Sequence, residues 1–119
     1  MAMKLAINSL FGIQVAALAE TLSLLSSHGI SPTDAVAYLS EIPVTSAAMK
    51  GAGTLIATNK HAPMFPIHLV EKDFRYALAA HPTAESQMPI ASAACDQYRQ
   101  AIAKGHGDKN ITAITNLCT

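Results

Sequence analysis

Two groups of polar residues interrupt otherwise apolar stretches of this chain: Lys4 with Asn8 near the start, and Lys72 with Asp73, preceded by Phe65, farther along. A lysine and an amide at i and i+4 lie on one helical face, so both can point at the same substrate atom. Phe65 can wall such a site, although beside Pro66 it would serve as well as a core anchor. Taken one at a time, Lys4 reads as a solvated residue of a first helical turn, Asn8 as a surface amide, and Lys72 and Asp73 as a solvated face. They become a site only if the fold brings the two stretches together.

The elements that must do so are helices. Leu5 to Leu25 is the longest apolar stretch and is long enough for a membrane span. Asn8, Ser9, Gln14, Glu20, Thr21 and Ser23 interrupt it, and a carboxylate at the centre of a lipid bilayer costs roughly 2.5–3.5 kcal/mol on insertion scales. A long buried first helix of a soluble domain is therefore expected, with Gly29 after His28 as its C-terminal stop. Glu20, if buried there, needs a hydrogen-bonding or ionic partner. A second helix starts at Ser31-Pro32-Thr33-Asp34, where Ser31 caps, Pro32 suits the first turn and Asp34 complements the dipole; it runs to Leu39 or Glu41. Pro43 breaks the chain, and Thr45 opens a third helical pattern through Met49 and Leu55, weakened by Gly51 and Gly53.

Residues 58–64 read as a loop, and Pro66 opens a fourth helix whose apolar residues Ile67, Val70, Phe74, Ala77 and Leu78 recur at three- and four-residue spacing. Lys72 and Asp73 lie off that stripe. Pro82 ends the region, Pro89 starts a fifth helix through Ala103, and Gly105-His106-Gly107 terminates it. A short last helix, about Ile111 to Leu117, is expected to be capped by Asp108 or Asn110. No alternating strand pattern and no internal repeat occurs, so the fold class is all-α with about six helices.

Composition limits the partners. One hundred and nineteen residues make one domain, too short for a nucleotide-binding domain beside a second one. Half the residues are hydrophobic and only 13% are charged, so the surface cannot be clothed in charge and part of it should be buried against another domain or subunit. Eight basic residues balance eight acidic ones, which leaves no electrostatic footprint for nucleic acid or an anionic membrane. Cys95 and Cys118 fit neither a disulfide framework nor a zinc site; Cys95 reads as a small core residue, and a reduced, cytoplasmic setting is expected. No signal peptide is apparent. The five histidines never pair at i, i+4, so no metal site is expected.

The order Lys4-x-x-x-Asn8, Ala17-Leu18-Ala19-Glu20, Phe65 with Lys72-Asp73-Phe74, and Gly105-His106-Gly107-Asp108 resembles the C-terminal helical domain of the β-hydroxyacid dehydrogenases. That family includes 3-hydroxyisobutyrate dehydrogenase and tartronate semialdehyde reductase and is related to 6-phosphogluconate dehydrogenase. Each motif is weak alone, but their order and spacing cover essentially the whole chain. The resemblance implies an oxidoreductase that moves a hydride between NAD or NADP and a short hydroxy acid or its semialdehyde. It implies Lys4 as the catalytic general acid/base, Asn8 as a substrate ligand, and Phe65, Lys72 and Asp73 along the cleft near the cofactor. The residue types agree: hydride transfer to a carbonyl leaves charge on oxygen, which an ammonium and an amide donor stabilise and protonate. A lysine at position 4 favours a hydroxyl/carbonyl substrate over the imine chemistry of relatives that replace it.

The departure from the family is large. A dinucleotide fingerprint needs Gly-x-Gly-x-x-Gly between a strand and a helix, whereas Gly51-Ala52-Gly53 and Gly105-His106-Gly107 lack the third glycine and follow helical patterns. The N-terminal Rossmann domain is thus absent from this chain. Residues 1–119 are expected to be the C-terminal substrate and dimerisation domain, inactive in isolation and paired with that Rossmann domain and with a second copy of itself. The rival reading is a non-catalytic all-α self-association module.

Overall fold

A computed structural model describes residues 1–118. Six α-helices and one 3₁₀ helix follow in order: α1 (Ala2–Ser27), α2 (Pro32–Leu39), α3 (Ala47–Ala57), α4 (Ile67–Ala80), α5 (Ala84–Gln87), α6 (Pro89–Ala103) and a closing 3₁₀ helix (Ile111–Leu117). No strand forms among the described residues; an isolated antiparallel bridge joins Pro66 to Asn110. The all-α expectation holds, with one addition. The single turn α5 is too short to carry a periodic signal and was not anticipated.

Local chemistry explains most boundaries. Ser31 caps α2 by accepting the Asp34 N–H, with Pro32 in the first turn as expected. The third helix opens one residue later than Thr45 suggests, because the Ser46 hydroxyl accepts the Met49 N–H and donates to the Gln14 side chain at 2.7 Å, tying α3 to α1. Gly51 and Gly53 stay helical within it. Pro66 is the N-cap of α4 rather than its first residue. Gly29 (φ +83°) and Gly105 (φ +90°) take the left-handed conformation that lets the chain leave α1 and α6.

α1 is the spine, packed by α4, α6 and the 3₁₀ helix and, farther along, by α2 and α3. It has the length and apolar content of a membrane span, but its burial is one-sided. Leu5, Ser9, Gly12, Val15, Ala16, Leu18, Ala19 and Leu22 face the core, while Met3, Ile7, Leu10 and Leu24 are exposed. Glu20 is also exposed and so needs no partner. The core itself is built from Val15, Ile67, Val70, Phe74, Cys95, Tyr98, Ile111 and Ile114. Each large apolar side chain there contributes roughly 1.5–3 kcal/mol by leaving water.

Where α1 meets α4 and α6 the packing is closest. The Tyr98 hydroxyl donates to the Gly12 carbonyl at 2.6 Å, and its ring stacks on Phe74 with centroids 5.7 Å apart. Burial pushes the Tyr98 phenol far above its ordinary value, so it remains a donor. A Cβ on Gly12 would fall 2.5 Å from Phe74 Cε2, so the missing side chain is what allows α4 to lie against α1 at this height. Asn8 sits one turn before Gly12 and Asp73 immediately before Phe74, so this knot also sets the separation of the site residues.

Candidate active site

α1 carries Lys4, Asn8 and Phe11 at i, i+4 and i+7, one face of one helix. α4 crosses that helix with Asp73 half-buried, and the Asn8 Nδ2 donates to Asp73 Oδ2 at 2.8 Å. A carboxylate only accepts, so the contact assigns the amide orientation: the NH₂ end faces Asp73. One N–H and the carbonyl oxygen of Asn8 remain for a ligand. The Lys4 ammonium, one turn toward the N-terminus, is exposed and has no hydrogen-bonding or ionic partner among the described residues.

Phe65 enters through a cavity of about 620 Å³ walled by Phe11, Ala48, Ala52, Leu55 and Phe65, with Asn110 among its polar lining. Phe11, which continues the Lys4/Asn8 stripe of α1, is one wall of this cavity, and Phe65, half-buried in it, also packs against the core. Its packing against the core bears out the anchor reading in part. Lys72 stands apart. It lies one residue, hence about 100° of helix turn, from Asp73. Its ammonium lies 5.6 Å from the Tyr76 ring centroid, a ring shared with Arg75. The structure thus joins Asn8 to Asp73, sets Lys4 on the same face, and leaves Lys72 on an exposed flank.

Phe11 and Glu71 are not among the sequence candidates, and Asn110 stands there only as an expected helix cap. Phe11 was legible, since it continues the Lys4/Asn8 stripe. Glu71, buried on α4, accepts from Arg75 Nε and Nη2 and from Arg99 Nε at 3.0–3.3 Å, and joins α4 to α6. Burial pushes its carboxyl upward, but the hydrogen bonds and charges of Arg75 and Arg99 outweigh this and hold it below the usual carboxylate range. The Glu71-x-x-x-Arg75 spacing was its available signal. Asn110 is 3% exposed and departs from its expected role. It occupies the N-cap position of the 3₁₀ helix without capping it, and its Oδ1 instead accepts the N–H groups of Met64 and Phe65. Asp108, the other expected cap, is solvent-facing near His68. No local pattern could have revealed a contact spanning more than forty residues.

Comparison with known proteins places this arrangement in a family. The family model described as NAD-binding of NADP-dependent 3-hydroxyisobutyrate dehydrogenase matches residues 1–118. Glyoxylate/succinic semialdehyde reductase 1 of Arabidopsis thaliana is 31% identical over 112 residues, which cover 94% of this chain and 39% of the relative. The chain thus spans about two fifths of that relative's length. Two solved structures share the fold. One is 3-hydroxyisobutyrate dehydrogenase from Salmonella typhimurium, with a TM-score of 0.86 and 20% identity, covering 97% of this chain and 40% of that one. The other is Mycobacterium tuberculosis 3-hydroxyisobutyrate dehydrogenase with L-serine, with a TM-score of 0.83 and 24% identity, covering 98% and 42%. The match along nearly the whole sequence, on the helices that bring Asn8 to Asp73, shows that this chain belongs to the 3-hydroxyisobutyrate dehydrogenase family.

Proposed function

We propose that this helical unit is the substrate-side and dimer-forming domain of an NAD(P)-dependent oxidoreductase, interconverting a short β-hydroxy acid and its semialdehyde. The observation that carries the reading is the 2.8 Å Asn8–Asp73 hydrogen bond on the face that presents Lys4. Asp73 fixes the Asn8 amide, so its free N–H is already oriented when a carbonyl oxygen arrives. The Lys4 ammonium, one turn away and unpaired, shares that oxygen, stabilises the charge that develops on it and gives it a proton; in the oxidative direction the neutral amine takes the proton back. Nicotinamide, when bound, supplies or accepts the hydride.

The described residues form no glycine-rich strand–turn–helix able to seat a pyrophosphate. The dinucleotide is accordingly held mainly by a Rossmann unit outside these residues, and this chain alone does not turn over substrate. Its own contribution toward the cofactor is the edge of the cleft: Phe65 as an apolar wall, Asp73 through Asn8, and Lys72 from the exposed flank. Of these, Phe65 and Asp73 have the better geometric support.

Met3, Ile7 and Leu10 are 72%, 57% and 59% exposed and lie at i, i+4 and i+7 along α1. Such an apolar strip on a chain with little charge supports a homodimer. It also favours the competing reading, a self-association module without catalysis. An assay of the complete gene product separates them, scanning glyoxylate, succinic semialdehyde and short hydroxy acids with NADPH, NADH and the oxidised cofactors. Cofactor-dependent turnover of any pair is expected; a folded, cofactor-binding protein that turns over none overturns the enzyme reading.

A further inference from the structure

The segment that carries Phe65 is held from the far end of the chain. Backbone bonds join the two stretches: Asn110 N–H to the His61 carbonyl, Ile111 N–H to the Phe65 carbonyl at 2.8 Å, Ile67 N–H to the Lys109 carbonyl and His68 N–H to the Gly107 carbonyl. Asn110 adds a grip from the other side of residue 65. Its Oδ1 accepts the Met64 N–H at 3.1 Å and the Phe65 N–H at 2.9 Å, which fills both lone pairs of the carboxamide oxygen.

The rest of the chain of bonds fixes that amide. Asn110 Nδ2 donates to Thr112 Oγ1 at 3.0 Å; the flipped amide would set its NH₂ against two N–H donors. The Thr112 hydroxyl keeps its proton for His61 Nδ1 at 2.9 Å in the neutral tautomer whose Nε2–H donates to Asn59 Oδ1 at 3.1 Å. Asn59 itself follows α3 with φ +53°. Burial, with Lys109 and His106 nearby, lowers the His61 pKa and favours the neutral ring that this direction of donation needs. Donation runs in one sense, from the backbone of Phe65 through Asn110, Thr112 and His61 to the end of α3. An aspartate at 110 could accept both backbone N–H groups but has no proton for Thr112.

We propose that Asn110 is a positioning residue of the site, setting where the Phe65 ring stands at the edge of the cavity it shares with Phe11. Its side-chain amide is committed to the backbone of residues 64 and 65 and to Thr112, and it acts through that backbone. The inference rests on the reading of Phe65 as a wall of the reacting site.

The test is a double-mutant cycle in the complete gene product, read as kcat/KM for succinic semialdehyde with NADPH. Phe65→Ala and Asn110→Ala should each lower it by roughly ten- to a hundredfold, the range that misplacement of a positioning group produces. The double variant should lose no more than Phe65→Ala alone, since the second change removes a grip on a ring already absent. Asn110→Asp keeps both accepted N–H bonds and should recover most of the activity, with the amides of residues 64 and 65 again protected from hydrogen exchange. If Asn110→Ala does not fold, Thr112→Val, which unseats the amide without removing it, takes its place in the cycle. Losses that multiply in the double variant, or a silent Phe65→Ala, overturn the inference. Lys4→Ala, assayed beside them, reports separately whether the hydride-transfer reading stands.

Discussion

Replacing Gly12 with alanine is a sensitive probe of how the site is built, because two opposing effects of known size meet there. The added methyl group would lie 2.5 Å from Phe74 Cε2, 2.8 Å from Phe74 Cζ and 3.5 Å from Val70 Cγ1. Phe74 is fully buried and stacked on Tyr98, so its ring has nowhere to withdraw and α4 must shift. Overpacking of this kind costs about 1–3 kcal/mol. Alanine in a helix interior returns about 0.5–1 kcal/mol relative to glycine. With contacts as short as 2.5 Å the overpacking falls in the upper part of that range, about 2–3 kcal/mol, so the net expectation is a loss of about 1–2.5 kcal/mol, or roughly 4–10 °C in Tm for a domain of this size. The assay is urea and thermal unfolding of the 119-residue chain followed by circular dichroism, with Phe74→Leu made alone and together with Gly12→Ala. Leucine opens the space the methyl group needs, so the double variant should be more stable than the sum of the single losses predicts. A neutral or stabilising Gly12→Ala would show that helix propensity decides and would refute the tight α1–α4 approach on which the Asn8–Asp73 distance depends.

Three further outcomes follow from charge and surface. Glu71 titrates below its ordinary value of 4.5 in the folded chain, so its contribution is fully present above that pH and is lost as pH falls through the folded value; Glu71→Gln should be less stable near neutrality and flatten this acid limb of the urea midpoint. His61, lowered by burial and then by Lys109 and His106, stabilises the fold above its ordinary 6.5 and loses that contribution as pH falls through the folded value, which should appear as early exchange of the residue 61–65 amides. Light scattering of the chain across micromolar concentrations should give at least a dimer, and Leu10→Glu on the exposed strip should shift it toward monomer; a monomeric mass for the unaltered chain would remove the strip as an interface.

Much of this architecture is legible in the sequence because its signals are local. The Ser31-Pro32-Thr33-Asp34 cap, Gly29, Gly105 and the 67/70/74/77 stripe each depend on residues a few positions apart, and they give the helices nearly to their ends. The Lys4/Asn8 face follows from helical spacing in the same way. What the sequence hides is non-local. That Asn8 finds Asp73, that Tyr98 reaches the Gly12 carbonyl, and that Asn110 forsakes its helix for the Phe65 backbone are consequences of packing between distant segments. The one-sided burial of α1 escaped for a related reason. Apolar residues surround the helix, so its pattern does not separate the core face from a face held for another surface.

The most direct measurement is the kinetics of Lys4→Ala in the complete gene product, with semialdehyde reduction and NADPH affinity determined on the same preparations. The account predicts a kcat lowered by roughly 10²–10⁴, the usual range for removal of a general acid/base, with cofactor affinity nearly unchanged. Unchanged turnover in a variant that folds and binds cofactor would contradict it and remove Lys4 from the chemistry.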